Sequence, residues 1–181
     1  VLASSVDEKG KYLTSTIAKN QIESIRFEQG KEPEYSDKIV ERFDASEKQD
    51  ESIIGYYTDE DGNGLYELTF VSQEIIYANR DAKYLFRYLT NAISIEFDNF
   101  STLGTENMLA MFNSSKSLKQ LYLMRFDTSQ VTNMSAMFNN CSNLTKLDVS
   151  KFDISKVTNI SNMFAGWRRA YRTKCKQLEY K

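Results

Sequence analysis

The stretch Leu144-Thr-Lys-Leu-Asp-Val-Ser-Lys-Phe-Asp153, with Val157-Thr-Asn-Ile-Ser-Asn-Met-Phe164 after it, decides the fold because both parts recur along the chain. In the first part the apolar residues have the spacing LxxLxL, whose last four positions alternate as a short strand requires. The same spacing occurs at residues 118–123 and, with alanine in the first position, at residues 92–97. The chain is therefore predicted to repeat one structural unit.

The pair Met-Phe shows the length of this unit. It recurs every 26 residues at Met111-Phe112, Met137-Phe138 and Met163-Phe164, with a degenerate copy at Leu85-Phe86. A fixed period of this length indicates stacked units that bury a core only against their neighbours. Such an array offers a continuous face instead of a cleft, which favours binding over catalysis.

The segments that end in Met-Phe carry a second pattern. In residues 131–138 and 157–164 the apolar residues fall at i, i+3, i+6 and i+7, which is helical spacing. Each unit is thus predicted to contain a strand, a turn and one or two helical turns. Stacking of the units would place the strands side by side in a parallel sheet, which makes the fold class α/β.

This unit resembles the repeat of the BspA-like class of leucine-rich repeats, which occur in many bacterial surface proteins. The resemblance rests on residues 140–153 and 157–164 and covers residues 85–164, although residues 101–108 depart from it. It implies a short leucine-rich-repeat solenoid with a parallel sheet on one face, short helical turns on the other and an N-terminal β cap. Surface exposure or secretion and adhesin-type binding are what the resemblance implies for location and function.

Four regions are predicted. Residues 1–35 form an N-terminal segment with one strand at 22–27, and residues 36–84 form a small β capping unit with a hairpin. Residues 85–164 hold three 26-residue repeats and the start of a fourth. Residues 165–181 depart from the repeat, so they form either an atypical cap, with Trp167, Tyr171 and Leu178 folded over the last unit, or the tail of a truncated piece.

Composition excludes several classes of protein. The 181 residues contain no histidine, which removes the usual general base and the commonest transition-metal ligand. The net charge of −2 provides no basic field for nucleic acid, and no apolar run is long enough to span a bilayer. No signal peptide is visible at residues 1–9, and the two cysteines are too few for a disulfide framework, so Cys141 is expected to be packed in the core.

The candidate binding residues lie at outward positions of the predicted strands. Stacking would align Glu96, Tyr122 and Asp148 in one column, Ser94, Gln120 and Lys146 in a second, and Asp98, Met124 and Ser150 in a third. Aromatic and arginine side chains dominate protein interfaces. The predicted ligand-binding residues are therefore Glu96, Tyr122, Arg125, Lys146 and Asp148, and the alternative is that these are ordinary solvated side chains.

The sequence Asp59-Glu-Asp61-Gly-Asn63-Gly64 matches the first half of an EF-hand calcium loop. The second half does not match, because Phe70 stands where a bidentate glutamate is required. Asp-Gly and Asn-Gly are also preferred hairpin turns, so a plain turn is the favoured interpretation. The alternative is a calcium site formed by Asp59, Asp61, Asn63 and Glu67.

The sequence therefore predicts a non-enzymatic module without a cofactor, secreted or at the cell surface, that binds a protein or cell-surface ligand through the strand face. One alternative is a spacer or truncated fragment of a larger surface protein. A less favoured one is a calcium-dependent glycan-active domain in residues 36–84. Nucleic acid is not expected as a partner, and the sequence leaves the oligomeric state open.

Overall fold

The computed structural model describes residues 17–33, 36–48 and 50–167 of the chain. Within these ranges the regular structure consists of nine strands and one 3-10 helix at Lys19–Gln21. The strands are β1 (Ile22–Gln29), β2 (Ile39–Asp44), β3 (Ile54–Thr58), β4 (Tyr66–Ser72), β5 (Ile76–Tyr77), β6 (Ser94–Glu96), β7 (Phe100–Ser101), β8 (Gln120–Leu121) and β9 (Lys146–Leu147).

The strands form one mixed sheet and two short parallel pairs. The five-stranded sheet has the order β2-β3-β4-β1-β6, in which β2, β3 and β4 are antiparallel whereas β4, β1 and β6 are parallel. The pairs are β5 with β7 and β8 with β9. Strand β1 lies between β4 and β6, and Ile25 and Phe27 on one side of it are fully buried while Arg26 on the other is exposed.

Aromatic side chains fill the core beneath this sheet. Phe27 stacks on Phe70 of the neighbouring strand at a centroid distance of 4.9 Å and on Phe97 at 5.8 Å. Gly55 lies opposite Phe43, and a Cβ atom at position 55 would collide with that ring. The glycine is thus required for the close approach of β2 and β3.

The Met-Phe segments contain overlapping turns. The N–H of Met137 donates to the carbonyl oxygen three residues earlier, on Met134, whereas the N–H of Ala136 donates to Ser161 of the following repeat. Successive N–H groups thus alternate in role: one closes a turn inside its own repeat, and the next bonds to the following repeat. The bonds between repeats come from Ala82, Tyr84, Phe86 and Tyr88, from Met108, Ala110, Phe112 and Ser114, and from Met134, Ala136, Phe138 and Asn140.

This geometry shows that the predicted helical turns are wrong. Ala136 has φ of 53° and Asn140 has φ of 58°, and left-handed residues at these points interrupt a right-handed helix. The same two positions are left-handed in every repeat, as Tyr84 and Tyr88, Ala110 and Ser114, and Asn162 and Gly166 show. Side chains also stabilise the turns, because the Asn133 Oδ1 atom accepts the N–H of Ser135. Such a bond between a side chain and the nearby backbone competes with helix formation.

The predicted fold class is therefore also wrong. The described residues form strands and turns in mixed sheets, and they contain no α-helix and no α/β leucine-rich-repeat solenoid with helical turns on one face. The predicted N-terminal β cap and first repeat share one sheet, because β6 of the first repeat pairs with β1. The boundaries of the four predicted regions stay a prediction.

A column of phenylalanines connects the repeats. The rings of Phe86, Phe112, Phe138 and Phe164 follow one another at centroid distances of 5.3, 5.4 and 5.8 Å, and their planes differ by no more than 20°. Trp167 stands edge-on against Phe164, at 5.4 Å and 75°. Its indole thus packs at the end of the described part of the column.

A buried lysine attaches the start of the described chain to the first repeat. The Nζ atom of Lys19 donates to the carbonyl oxygens of Tyr84 and Leu85 over 2.9 and 2.8 Å. Only 1% of Lys19 is exposed. Because a buried ammonium group needs hydrogen-bond partners, these carbonyls fix the position of the N-terminal segment on the turns.

Candidate recognition surface

The candidate surface lies on the side of β6, β8 and β9 that faces away from the core. Gln120 of β8 pairs with Lys146 of β9 in parallel register, and Tyr122 and Asp148 follow at equivalent positions after the two strands. Leu121 and Leu123 point inward and are buried. The alternation therefore turns the side chains of residues 120, 122 and 124 outward.

Tyr122 is the aromatic group on this surface, and 62% of it is exposed. Its hydroxyl donates to the Oε1 atom of Gln120 over 3.0 Å, which fixes the direction of the ring. Met124, two residues later, is 84% exposed and is the most exposed large apolar side chain in the part of the protein that the structure describes. The two exposed side chains are thus two residues apart in the segment that follows β8.

Charged groups border this apolar pair. The Nη1 atom of Arg125 donates to the carbonyl oxygen of Asp98 in the preceding repeat over 2.8 Å. Glu96 on β6 lies across from Arg26 on β1, with 3.8 Å between its Oε2 atom and the arginine Nε. This exposed ion pair adds little to the stability of the protein. It lies at the edge of the five-stranded sheet, where β6 is the last strand.

Lys146 and Asp148 complete the set of predicted residues, and both are exposed. The side chain and the backbone N–H of Ser150 donate hydrogen bonds to Asp148, which lower the pKa of its carboxyl group. Asp148 is thus a carboxylate with a fixed orientation near neutral pH. Lys146 has no ion pair among the residues that the structure describes.

Of the five predicted residues, Glu96 lies in β6 and Lys146 in β9, which belong to different sheets, whereas Tyr122, Arg125 and Asp148 lie just after β8 and β9. Only Gln120 and Lys146 of the predicted columns are directly paired. Strand β6 belongs to the five-stranded sheet, and its connection to the β8 region includes a 3.3 Å hydrogen bond from Lys119 N–H to Ile93 O. The binding role of all five residues stays a prediction. Met124, which the sequence placed in a column but not among the binding residues, is the main addition.

The candidate calcium loop connects β3 and β4. Its acidic side chains accept hydrogen bonds from the loop itself: Asp59 Oδ1 and Asp61 Oδ1 both accept the N–H of Asn63 at 3.1 Å. Asn63 Oδ1 accepts the N–H of Leu65, and Glu67 Oε2 accepts the Thr58 hydroxyl. Across residues 17–33, 36–48 and 50–167, no cluster of three or more histidine, cysteine, aspartate or glutamate side chains is arranged to hold a metal ion.

Two recurrent polar positions have structural roles. Asn133 and Asn159 accept backbone N–H groups two residues later, and the Thr158 hydroxyl donates to the carbonyl oxygen of Thr132 in the preceding repeat. The asparagines thus stabilise turns within a repeat, and the threonine connects neighbouring repeats. Cys141 is buried, as expected, and its Sγ atom donates to Phe112 O.

The predicted C-terminal segment is described only to residue 167. The indole Nε1 of Trp167 donates to the carbonyl oxygen of Phe138 over 2.7 Å. Tyr171, Leu178 and the basic residues between 168 and 176 lie outside the described residues. None of the helices formed by the described residues has the length and apolar character to cross a bilayer.

The repeats also match a known family. The model of a family described as "Mycoplasma protein of unknown function, DUF285" matches residues 80–178, which is more than half of the chain. The searches of curated proteins and of solved structures found no match to this chain. The match is consistent with the bacterial surface repeat protein that the sequence predicted. Because the match covers more than half of the chain and includes all the repeats, the chain belongs to the DUF285 family.

Proposed function

We propose that this protein is a non-enzymatic recognition module, at the bacterial cell surface or secreted, that binds a protein or another cell-surface ligand. Binding would use the strand surface formed by Glu96, Tyr122, Arg125, Lys146 and Asp148, together with Met124. The observation that supports this most is the exposure of two large side chains two residues apart, Tyr122 (62%) and Met124 (84%). Large apolar side chains grouped on a surface and bordered by charges are typical of interaction sites.

The rigidity of the surface supports the same proposal. The strand β8 is bonded to β9, Arg125 is bonded to the preceding repeat, and the Tyr122 hydroxyl is bonded to Gln120. Because these side chains are already fixed in position, they lose less conformational entropy when a ligand binds. Charges of both signs around the apolar pair would then set the orientation of the ligand.

The choice of ligand class rests on the sequence. The repeat resembles that of BspA-like surface proteins, and some of those proteins act as adhesins toward host matrix proteins or other bacteria. The absence of histidine from all 181 residues supports a binding role over a catalytic one. No cofactor is proposed.

The test is binding of the purified chain to an immobilised panel of matrix proteins, bacterial cells and glycans. The variant Tyr122→Ala/Asp148→Ala should bind at least tenfold more weakly while its melting temperature is unchanged. The matched control is Asp37→Ala/Val40→Ala, which removes one exposed acidic and one exposed apolar side chain near β2, at the opposite edge of the five-stranded sheet.

Equal losses in both double variants would reject the strand surface as the binding site. If the unaltered chain binds nothing on the panel, the spacer or fragment alternative replaces the proposal. Calcium-dependent turnover of a glycan in the same panel would favour the enzyme alternative.

A further inference from the structure

A cavity of about 660 Å³ lies on the solvent-facing side of β3 and β4, and none of its lining residues belongs to the strand surface described above. The chain segment 30–33 after β1, the turn before β3 and the residues after β4 form its walls. This volume is within the range of small-molecule binding sites in proteins. No motif in the sequence indicates it, because its lining comes from four separate parts of the chain.

The floor of the cavity is apolar. Ile54 of β3 and Val71 of β4 are directly paired across the two strands, and they point away from the core that Tyr57 and Phe70 enter. Both are nearly buried, at 7% and 5% exposure, although neither belongs to the main core cluster. Ile75, which is 48% exposed, extends the apolar lining to the rim.

The walls are held in place by polar contacts. Arg42 donates to both carboxylate oxygens of Glu32, over 2.6 and 3.1 Å, and to Glu51 over 3.4 Å. The hydroxyl of Ser72 donates to the carbonyl oxygen of Ser52, which connects two of the walls. The cavity is therefore formed before any ligand enters, as small-molecule sites usually are.

The charges at the rim select a type of ligand. Three carboxylates, of Glu32, Glu51 and Glu74, line the cavity, whereas its cations are Lys31 and Arg42. Arg42 is bonded to Glu32 and Glu51, and the other charged groups of the lining are Glu74 and Lys31. With three carboxylates against two cations, the lining carries one negative charge in excess above its apolar floor. We propose that this cavity binds an amphipathic cation, with an alkyl chain on Ile54 and Val71 and an ammonium group at the rim near Glu74.

The test uses three probes with the same alkyl chain: hexylammonium, 1-hexanol and hexanoate. Each is titrated into the full chain at low ionic strength, and methyl NMR signals of Ile54 and Val71 are followed. Hexylammonium should bind with a dissociation constant on the order of millimolar, as expected for so small a ligand. It should bind at least threefold more tightly than hexanol and more tightly still than hexanoate.

Two variants separate the contributions. Glu74→Gln should remove the preference for hexylammonium over hexanol, and Val71→Phe should abolish binding of all three probes by filling the floor. The control Glu60→Gln, at an exposed carboxylate in the loop between β3 and β4 that does not line the cavity, should change none of the three affinities. Equal affinity for the three probes, a preference for hexanoate, or signal changes at methyl groups away from the cavity would overturn the proposal.

Discussion

The indole N–H of Trp167 donates to the carbonyl oxygen of Phe138 over 2.7 Å. Cys141 and Ser115, one and two repeats earlier, donate from the same position of their units to the corresponding phenylalanine carbonyls. Three different side chains thus donate to equivalent backbone carbonyls in three successive repeats. Tryptophan adds a ring that covers the side of Phe164.

This relationship predicts separate costs for the bond and the ring at position 167. Trp167→Phe keeps a ring against Phe164 but removes the donor, so it should lower the free energy of unfolding by about 1 kcal/mol. Trp167→Ala removes both and should lower it by about 3 kcal/mol. Urea denaturation followed by circular dichroism measures the two values. Equal losses for the two variants would show that the ring contributes nothing.

The left-handed turns predict an unusual response to glycine. In a helix, Ala136→Gly would lower the free energy of unfolding by about 1 kcal/mol. At the observed φ of 53°, glycine relieves the steric strain of the Cβ atom, so the variant should instead be as stable as the parent or up to about 1 kcal/mol more stable. Thermal or urea denaturation decides between the two.

The control for this substitution is Ala92→Gly. Ala92 is fully buried and is not among the residues with positive φ, so glycine there should destabilise the protein. If both variants were destabilised to the same extent, the turn geometry at Ala136 would be contradicted.

Cys141 predicts a dependence of stability on alkaline pH. Burial raises the pKa of its thiol to about 12, above the value in the unfolded chain. The stabilisation is therefore complete below the unfolded-state pKa of about 8.5 and is lost as the pH rises toward 12. Cys141→Ser, which reproduces the donor found at Ser115, should lose less of its free energy of unfolding between pH 8 and pH 11 than the parent.

Accessibility gives a second measurement of the same thiol. In a Cys175→Ser background, which leaves Cys141 as the single cysteine, a thiol reagent at pH 8 should react with the folded protein only as fast as the protein opens. Addition of urea should make the thiol react at the rate of a free cysteine. Rapid labelling without urea would contradict the buried position.

Lys19 predicts that the N-terminal segment contributes to the stability of the repeats. Lys19→Met keeps the alkyl chain but removes the donor to the carbonyl oxygens of Tyr84 and Leu85, so the free energy of unfolding should fall by about 2–4 kcal/mol. The control Lys31→Met, at an exposed position, should change it by less than about 0.5 kcal/mol. A null effect of Lys19→Met would show that the two carbonyls do not depend on this ammonium group.

The repeat period gave correct information about which residues share an environment. Phe86, Phe112, Phe138 and Phe164 form one column, as residues at equal positions of stacked units should. The period does not reveal the backbone geometry of the unit. Apolar spacing of three and four residues fits a helix, but overlapping turns of three residues bury the same side chains.

The failure of the helix prediction has a local cause. Asparagine and serine side chains in these segments bond to the nearby backbone, as Asn133 does to Ser135, and the apolar spacing used for the prediction does not include this competition. The predicted columns of the strand face depend on sheet continuity. The sequence could not show that β6 would join β1 while β8 pairs with β9, since pairing between distant segments is set by tertiary packing.

The alternating hydrogen bonds of the turn segments also bear on how the gene can change. Every second N–H in such a segment has its acceptor in the next repeat, so every junction between repeats presents the same backbone groups. Unequal recombination that adds or deletes one whole repeat would recreate an existing junction. An insertion of a single residue would shift donors away from their acceptors and leave buried N–H groups unsatisfied. Selection should therefore tolerate variation in the number of units far more readily than variation in their length.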